Sequence, residues 1–86
     1  MEAPQKLFHF FTMDQPGKGQ LYEIIVVEYQ GRIWKFIRYI AGEIVYEIFD
    51  LTNDPVGHHN LYGKVEYQPI ETYLFWLMDS IHPNFA

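Results

Sequence analysis

Residues Leu21–Leu51 read LYEIIVVEYQGRIWKFIRYIAGEIVYEIFDL. Ile24, Ile25, Val26 and Val27 are consecutive and β-branched, so Leu21–Gln30 reads as a strand that wants cover on both faces. Gly31-Arg32 predicts a tight hairpin turn, because glycine accepts positive φ without steric cost. Ile33–Ile40 then returns as the partner strand. Trp34, Phe36 and Arg38 point to one side, and Ile33, Lys35, Ile37 and Tyr39 to the other. Ala41-Gly42-Glu43 predicts the next turn. Ile44–Leu51 follows as a strand with Ile44, Tyr46 and Ile48 on one face and Val45, Phe49 and Leu51 on the other. Three runs joined by two short turns predict an antiparallel meander.

A sheet with one wet face alternates cleanly between apolar and polar residues. These strands carry large apolar groups on both faces, which calls for a layer on each side. The chain supplies one such layer. Pro69 suits a first helical turn, Glu71 sits near the positive end of the helix dipole, and Pro83 stops the helix beyond Ile81. At 3.6 residues per turn Ile70, Tyr73, Leu74, Leu77, Met78 and Ile81 form one apolar arc. Phe75 and Trp76 fall outside that arc, flanking a polar stripe of Thr72, Asp79 and His82, and read either as further core under a deeper-set helix or as a candidate docking surface. Upstream, Lys6–Met13 is short and aromatic and reads as a further strand, with Asp14–Gly19 as a Pro-Gly loop. The expected fold is α+β: an antiparallel sheet of three to four strands with one C-terminal helix packed on one face.

The chain has 86 residues, enough for one small domain. At that size only about 60–65% of the unfolded surface is buried on folding, and with no cysteine there is no disulfide to add to it. Hydrophobic residues make up 49% and aromatic residues 19%, which is ample for a core and points to burial against something else. The formal net charge is -5. Lys6, Lys18, Arg32, Lys35, Arg38 and Lys64 form no run, which argues against nucleic acid or an anionic membrane as partner. Neither a secretory signal pattern nor a long apolar span is present, and the compartment is left open.

One resemblance organises the second half. Lys35-Phe36-Ile37-Arg38-Tyr39, then Gly42-Glu43, then Tyr46-Glu47-Ile48-Phe49-Asp50-Leu51-Thr52-Asn53-Asp54-Pro55, then Asn60-Leu61, resembles the C-terminal end of sulfatases. That family pairs a K-[YF]-I-R strand with E-L-Y-D-L-x-x-D-P-x-E-x-x-N-L, and the spacing from Glu47 to Leu61 is kept without a gap. Ile48 replaces the usual Leu, Phe49 the usual Tyr, and Gly57 the usual Glu. The resemblance spans about 21–82, with 1–20 as an added strand and loop. It implies a small antiparallel sheet of about four strands carrying one helix and abutting a large α/β catalytic domain. It assigns structural roles to Glu47, Asp50, Leu51, Asp54, Pro55, Asn60 and Leu61. Asp54 before Pro55 favours a turn, Asn60 can cap backbone N–H groups, and Leu61 tucks the loop against the sheet.

No catalytic residue emerges. The family's formylglycine motif, C/S-x-P-x-R, has no counterpart, since Ser80 is followed by Ile-His-Pro. No cofactor is expected in this chain; calcium would belong to the absent catalytic domain. His58 and His59, with Asp50 and Asp54 nearby, are weak zinc candidates, and a solvated loop is the simpler reading. His9, among Phe8, Phe10 and Phe11, reads as a half-buried packing residue. Lys35 and Arg38 are candidate cations for the rim of a sulfate-binding cleft, against the simpler expectation of cross-strand pairing with Glu23, Glu28 or Glu47. Glu47 and Asp50 lie three apart on a strand, hence on opposite faces, which rules them out as an acid–base pair.

Two functions follow as expectations. One is a non-catalytic C-terminal subdomain of a sulfatase-like hydrolase (a fragment, a truncated frame or a separate subunit) that packs against a catalytic domain and shapes its substrate cleft. The other is a stand-alone interaction module whose partner is a second copy of itself.

Overall fold

A computed structural model describes residues 1–13, 21–39 and 45–81. Strands β1 (Lys6–Met13), β2 (Leu21–Tyr29), β3 (Arg32–Tyr39) and β4 (Val45–Asp50) form one antiparallel sheet in the order β1-β2-β3-β4. A 3₁₀ turn at Val65–Tyr67 leads into helix α1 (Gln68–Ile81), with Pro69 in its first turn. The expected α+β meander with a C-terminal helix is what the chain adopts. The expected Asp14–Gly19 loop, Ala41–Glu43 turn and Pro83 stop lie outside the described residues, as do Ile40, Ile44 and His82.

The β2–β3 turn sits one residue earlier than the sequence suggests. Tyr29 pairs with Arg32, so the two turn residues are Gln30 and Gly31. Both have positive φ, +52° and +76°, as a two-residue turn matched to strand twist requires. Gln30 is the only non-glycine residue with positive φ among the described residues. Arg32, expected in the turn, is instead the first residue of β3.

One sheet face lies under α1. Ile25, Val27, Trp34, Phe36 and Ile48 meet Leu61, Tyr73, Leu74, Leu77 and Met78 there in the main core. Ile70 and Ile81 cover its ends, so the predicted helical arc is the buried one. The opposite face carries a smaller cluster of Ile24, Ile37 and Phe49, flanked by Tyr22, Val26, Tyr39 and Leu51. On that face, towards β1 and at the β4 edge, Phe8, Phe10, Ile33 and Val45 stay 63, 43, 42 and 49% exposed. Here it is called the open face. The N-terminal segment runs the other way, towards the helix: Tyr73 donates its hydroxyl hydrogen to the Glu2 carbonyl at 2.6 Å and stacks on Tyr29.

Candidate functional site

The loop leaving β4 is built by three side chains. Asp50, buried at the strand end, accepts from the Thr52 and Asn53 N–H groups and from Asn53 Nδ2, at 2.8–3.3 Å. Arg32 adds a longer contact at 3.4 Å. Asp54 starts the next turn, accepting from the N–H groups of His59 at 2.9 Å and His58 at 3.1 Å. Those two bonds, His59 first, hold the Asp54 carboxyl below its ordinary value of 3.8, because they favour the ionised form. Pro55 is exposed on the loop. Gly57 has φ +75°, and a side chain there would find the Phe49 ring only at 3.7 Å. Space is available; the backbone angle is what favours glycine over the glutamate of the sulfatase pattern.

Asn60 and Leu61 then seal the free edge of β4. Asn60 Oδ1 accepts from the Ile48 and Tyr62 N–H groups, both at 3.0 Å, while the Leu61 N–H donates to the Ile48 carbonyl at 2.8 Å. Both outward backbone groups of Ile48 are satisfied without a fifth strand, which removes a site for unwanted strand addition. Leu61 is buried in the helix-side core, and Leu51 packs on the smaller cluster. Glu47 lies on the open face and accepts from the Tyr39 hydroxyl at 2.7 Å. The motif residues therefore cap turns, close an edge and pin the loop.

His58 and His59 are both exposed. They meet Asp54 through backbone N–H groups, and Asp50 is committed to its own turn. Both histidines lie on the exposed loop, and no group of three or more His, Asp or Glu side chains is placed to hold a metal ion among the described residues.

Lys35 and Arg38 do not share a site. Three residues apart on a strand, they project from opposite faces. Arg38 is buried on the helix side of the sheet, where it pairs with Glu23, its cross-strand neighbour. Its Nε donates to Glu23 Oε1 at 3.1 Å and its Nη2 shares the same oxygen. His9 Nε2 lies 2.8 Å from the other oxygen, Oε2. The expected cross-strand pairing with Glu23 is the one Arg38 makes, and its charge is spent inside the sheet, not at a cleft rim. His9 is half-buried as expected, but it is also bonded to a buried carboxylate, which its aromatic neighbours in the sequence do not signal. Lys35 projects from the open face and makes no hydrogen bond or ion pair among the described residues.

Phe75 and Trp76 do not make one docking surface either. Phe75 packs edge-on against Phe36 and Tyr46, with ring centroids 5.0 and 4.6 Å away, and so closes the β3–β4 flank of the core. Trp76 is 37% exposed and leans on Tyr73 at the other flank. Consecutive helical residues point about 100° apart, which accounts for the split. The open face carries part of the exposed apolar surface, with Phe8 and Phe10 on β1, Ile33 beside the β2–β3 turn and Val45 at the β4 edge; Leu7 and Phe11 on the helix side of β1, and Val56 and Val65 after β4, are exposed as well.

Compared with known proteins, the chain matches no family model, and no curated protein or solved structure matches it. Among the described residues no helix is long and apolar enough to cross a membrane.

Proposed function

We propose that this chain serves as the non-catalytic C-terminal subdomain of a sulfatase-like sulfuric ester hydrolase, either as part of a longer chain or as a separate subunit. It packs against the catalytic domain through its open sheet face and shapes the rim of the substrate cleft. Nucleophile and calcium belong to that neighbour. The observation that carries this reading is the second sheet face, which holds Phe8, Phe10, Ile33 and Val45 exposed, while α1 covers the first over β2, β3 and β4 and leaves Leu7 and Phe11 of β1 partly bare. The resemblance over Glu47–Leu61 supports it, and within that stretch Asp50, Asp54 and Asn60 shape the loop.

The test supplies a sulfatase catalytic domain lacking its own C-terminal subdomain, mixes it with this chain, and measures binding and sulfate release. Binding with a gain in activity is expected. Ile33→Glu, on the open face beside the β2–β3 turn, is expected to abolish both. No binding at about 100 μM, well above the range of a stable interface, refutes the reading.

A further inference from the structure

We infer that, where no larger neighbour covers it, the open face takes a second copy of this chain, giving a two-fold dimer with the two sheets face to face and the helices outside. The inference goes beyond the sulfatase reading. It rests on the same face but needs no catalytic domain.

Charge complementarity points to a second copy. The open face carries two lysines, Lys6 and Lys35, and two glutamates, Glu28 and Glu47, so it is neutral on a chain of net charge -5. Lys35 pairs across the strands with Val26 and Phe49. Its diagonal glutamates, Glu28 and Glu47, already meet Lys6 at 4.0 Å and the Tyr39 hydroxyl at 2.7 Å, so an ammonium group desolvated here gains from an acid on a second copy. Glu28 is the diagonal neighbour of Lys35, across the square formed with Val26 and Ile33. With strands about 4.8 Å apart and about 3.4 Å per residue, the residues Phe10, Val26 and Ile33 fall on one straight diagonal. A two-fold axis along that line lays each of the three on its own copy. It also sets each Lys35 over Glu28 of the second copy. Phe8 lands between Ile24 and Ile37 of the other sheet, and Lys6 comes close to its Glu47. The strands of the two sheets then cross at about 70°, near the orthogonal class of sheet packing.

Area sets the strength. At their exposures Phe8, Phe10 and Ile33 offer about 300 Å² of side-chain surface per copy. With the lysine and glutamate stems, the total buried over both copies is about 1,000 Å², the lower edge for a specific interface. A shallow hollow of about 240 Å³ bordered by Lys6, Phe8, Val26, Glu28 and Ile33 gives the contact some relief. The expected Kd is therefore about 10–100 μM.

Sedimentation equilibrium of the whole chain from about 5 to 500 μM, across a range bracketing that Kd, tests this, with far-UV circular dichroism checking that each variant stays folded. A monomer–dimer equilibrium is expected, reduced to monomer by Phe8→Glu. Lys35→Glu is expected to weaken it about tenfold. Lys35→Glu combined with Glu28→Lys restores it, because the swapped charges meet again across the axis. A monomer throughout, large aggregates without a discrete dimer, or a dimer indifferent to Phe8→Glu overturns the proposal. A double swap no better than Lys35→Glu alone overturns it as well. A monomeric chain that still binds a catalytic domain removes the dimer and leaves the sulfatase reading standing; a dimer that binds no such domain does the reverse.

Discussion

Replacing Glu23 by Gln tests how the sheet tolerates charge in its interior. Glu23 is fully buried, and it holds Arg38, which is 5% exposed, through two donors on one oxygen. The amide keeps the shape and one acceptor but removes the negative charge, leaving the guanidinium without its counter-ion. Breaking a buried pair in this way costs about 3–5 kcal/mol. A chain of 86 residues has a total stability of about 4–13 kcal/mol, so the variant is expected to lose a large share of it. Removing both partners behaves differently. Glu23→Leu with Arg38→Met leaves no orphaned charge, and His9, whose side chain is 19% exposed, can turn to water for its lost acceptor. That double variant is expected within about 1–2 kcal/mol of the parent. Urea unfolding followed by circular dichroism and tryptophan fluorescence reads the difference. With a slope of about 1–3 kcal/mol/M, Glu23→Gln lowers the midpoint by about 2 M. A loss below about 1 kcal/mol for Glu23→Gln, or a double variant as unstable as its single Leu and Met changes added together, refutes the reasoning.

Three further outcomes are expected. Asn60→Ala strands the N–H groups of Ile48 and Tyr62 at the β4 edge and costs about 1–3 kcal/mol in thermal or urea unfolding, whereas Asn60→Asp keeps the acceptor and costs less. Gly31→Ala meets no atom within 4 Å, so its whole cost is backbone strain at φ +76°, about 1–2 kcal/mol, and Gly31→Asn recovers part of it. Asp54 has a folded-state pKa below its unfolded value, so its contribution is present above the ordinary carboxylate range and is lost as pH falls through the depressed value. The stability gap between the parent and Asp54→Ala is therefore constant from about pH 5 to 7 and closes below about pH 4. Amide exchange at His58 and His59 speeds up in the variant over the same upper range.

Much of this architecture is legible in the residues. The β-branched run at 24–27, the 3.6-residue arc of the helix and the two-sided greasiness of the sheet each follow from one rule of side-chain periodicity. The ion pair is harder, and the reason is a single turn. A turn at Gly31-Arg32 pairs Gln30 with Ile33, and continuing that ladder sets Arg38 opposite Ile25. Moving the turn back by one residue, to Gln30-Gly31, shifts the register by two and sets Arg38 opposite Glu23. A shift of two keeps every side chain on its own face, so the hydrophobic pattern fits both registers and cannot choose between them. What distinguishes them is a glutamine at φ +52°, an angle that glutamine does not advertise. In the alternative register Arg38 would face Ile25 across the strands, so the buried pair is the element that makes the observed register the cheaper one. Glu23 and Arg38 then specify alignment more than they add stability, the role in which buried charges are best attested. The same logic extends to the other end of the sheet: Asn60 and Leu61 both bind Ile48, which lies opposite Phe36, so the loop after β4 fixes the far strand against the residue at the centre of the core.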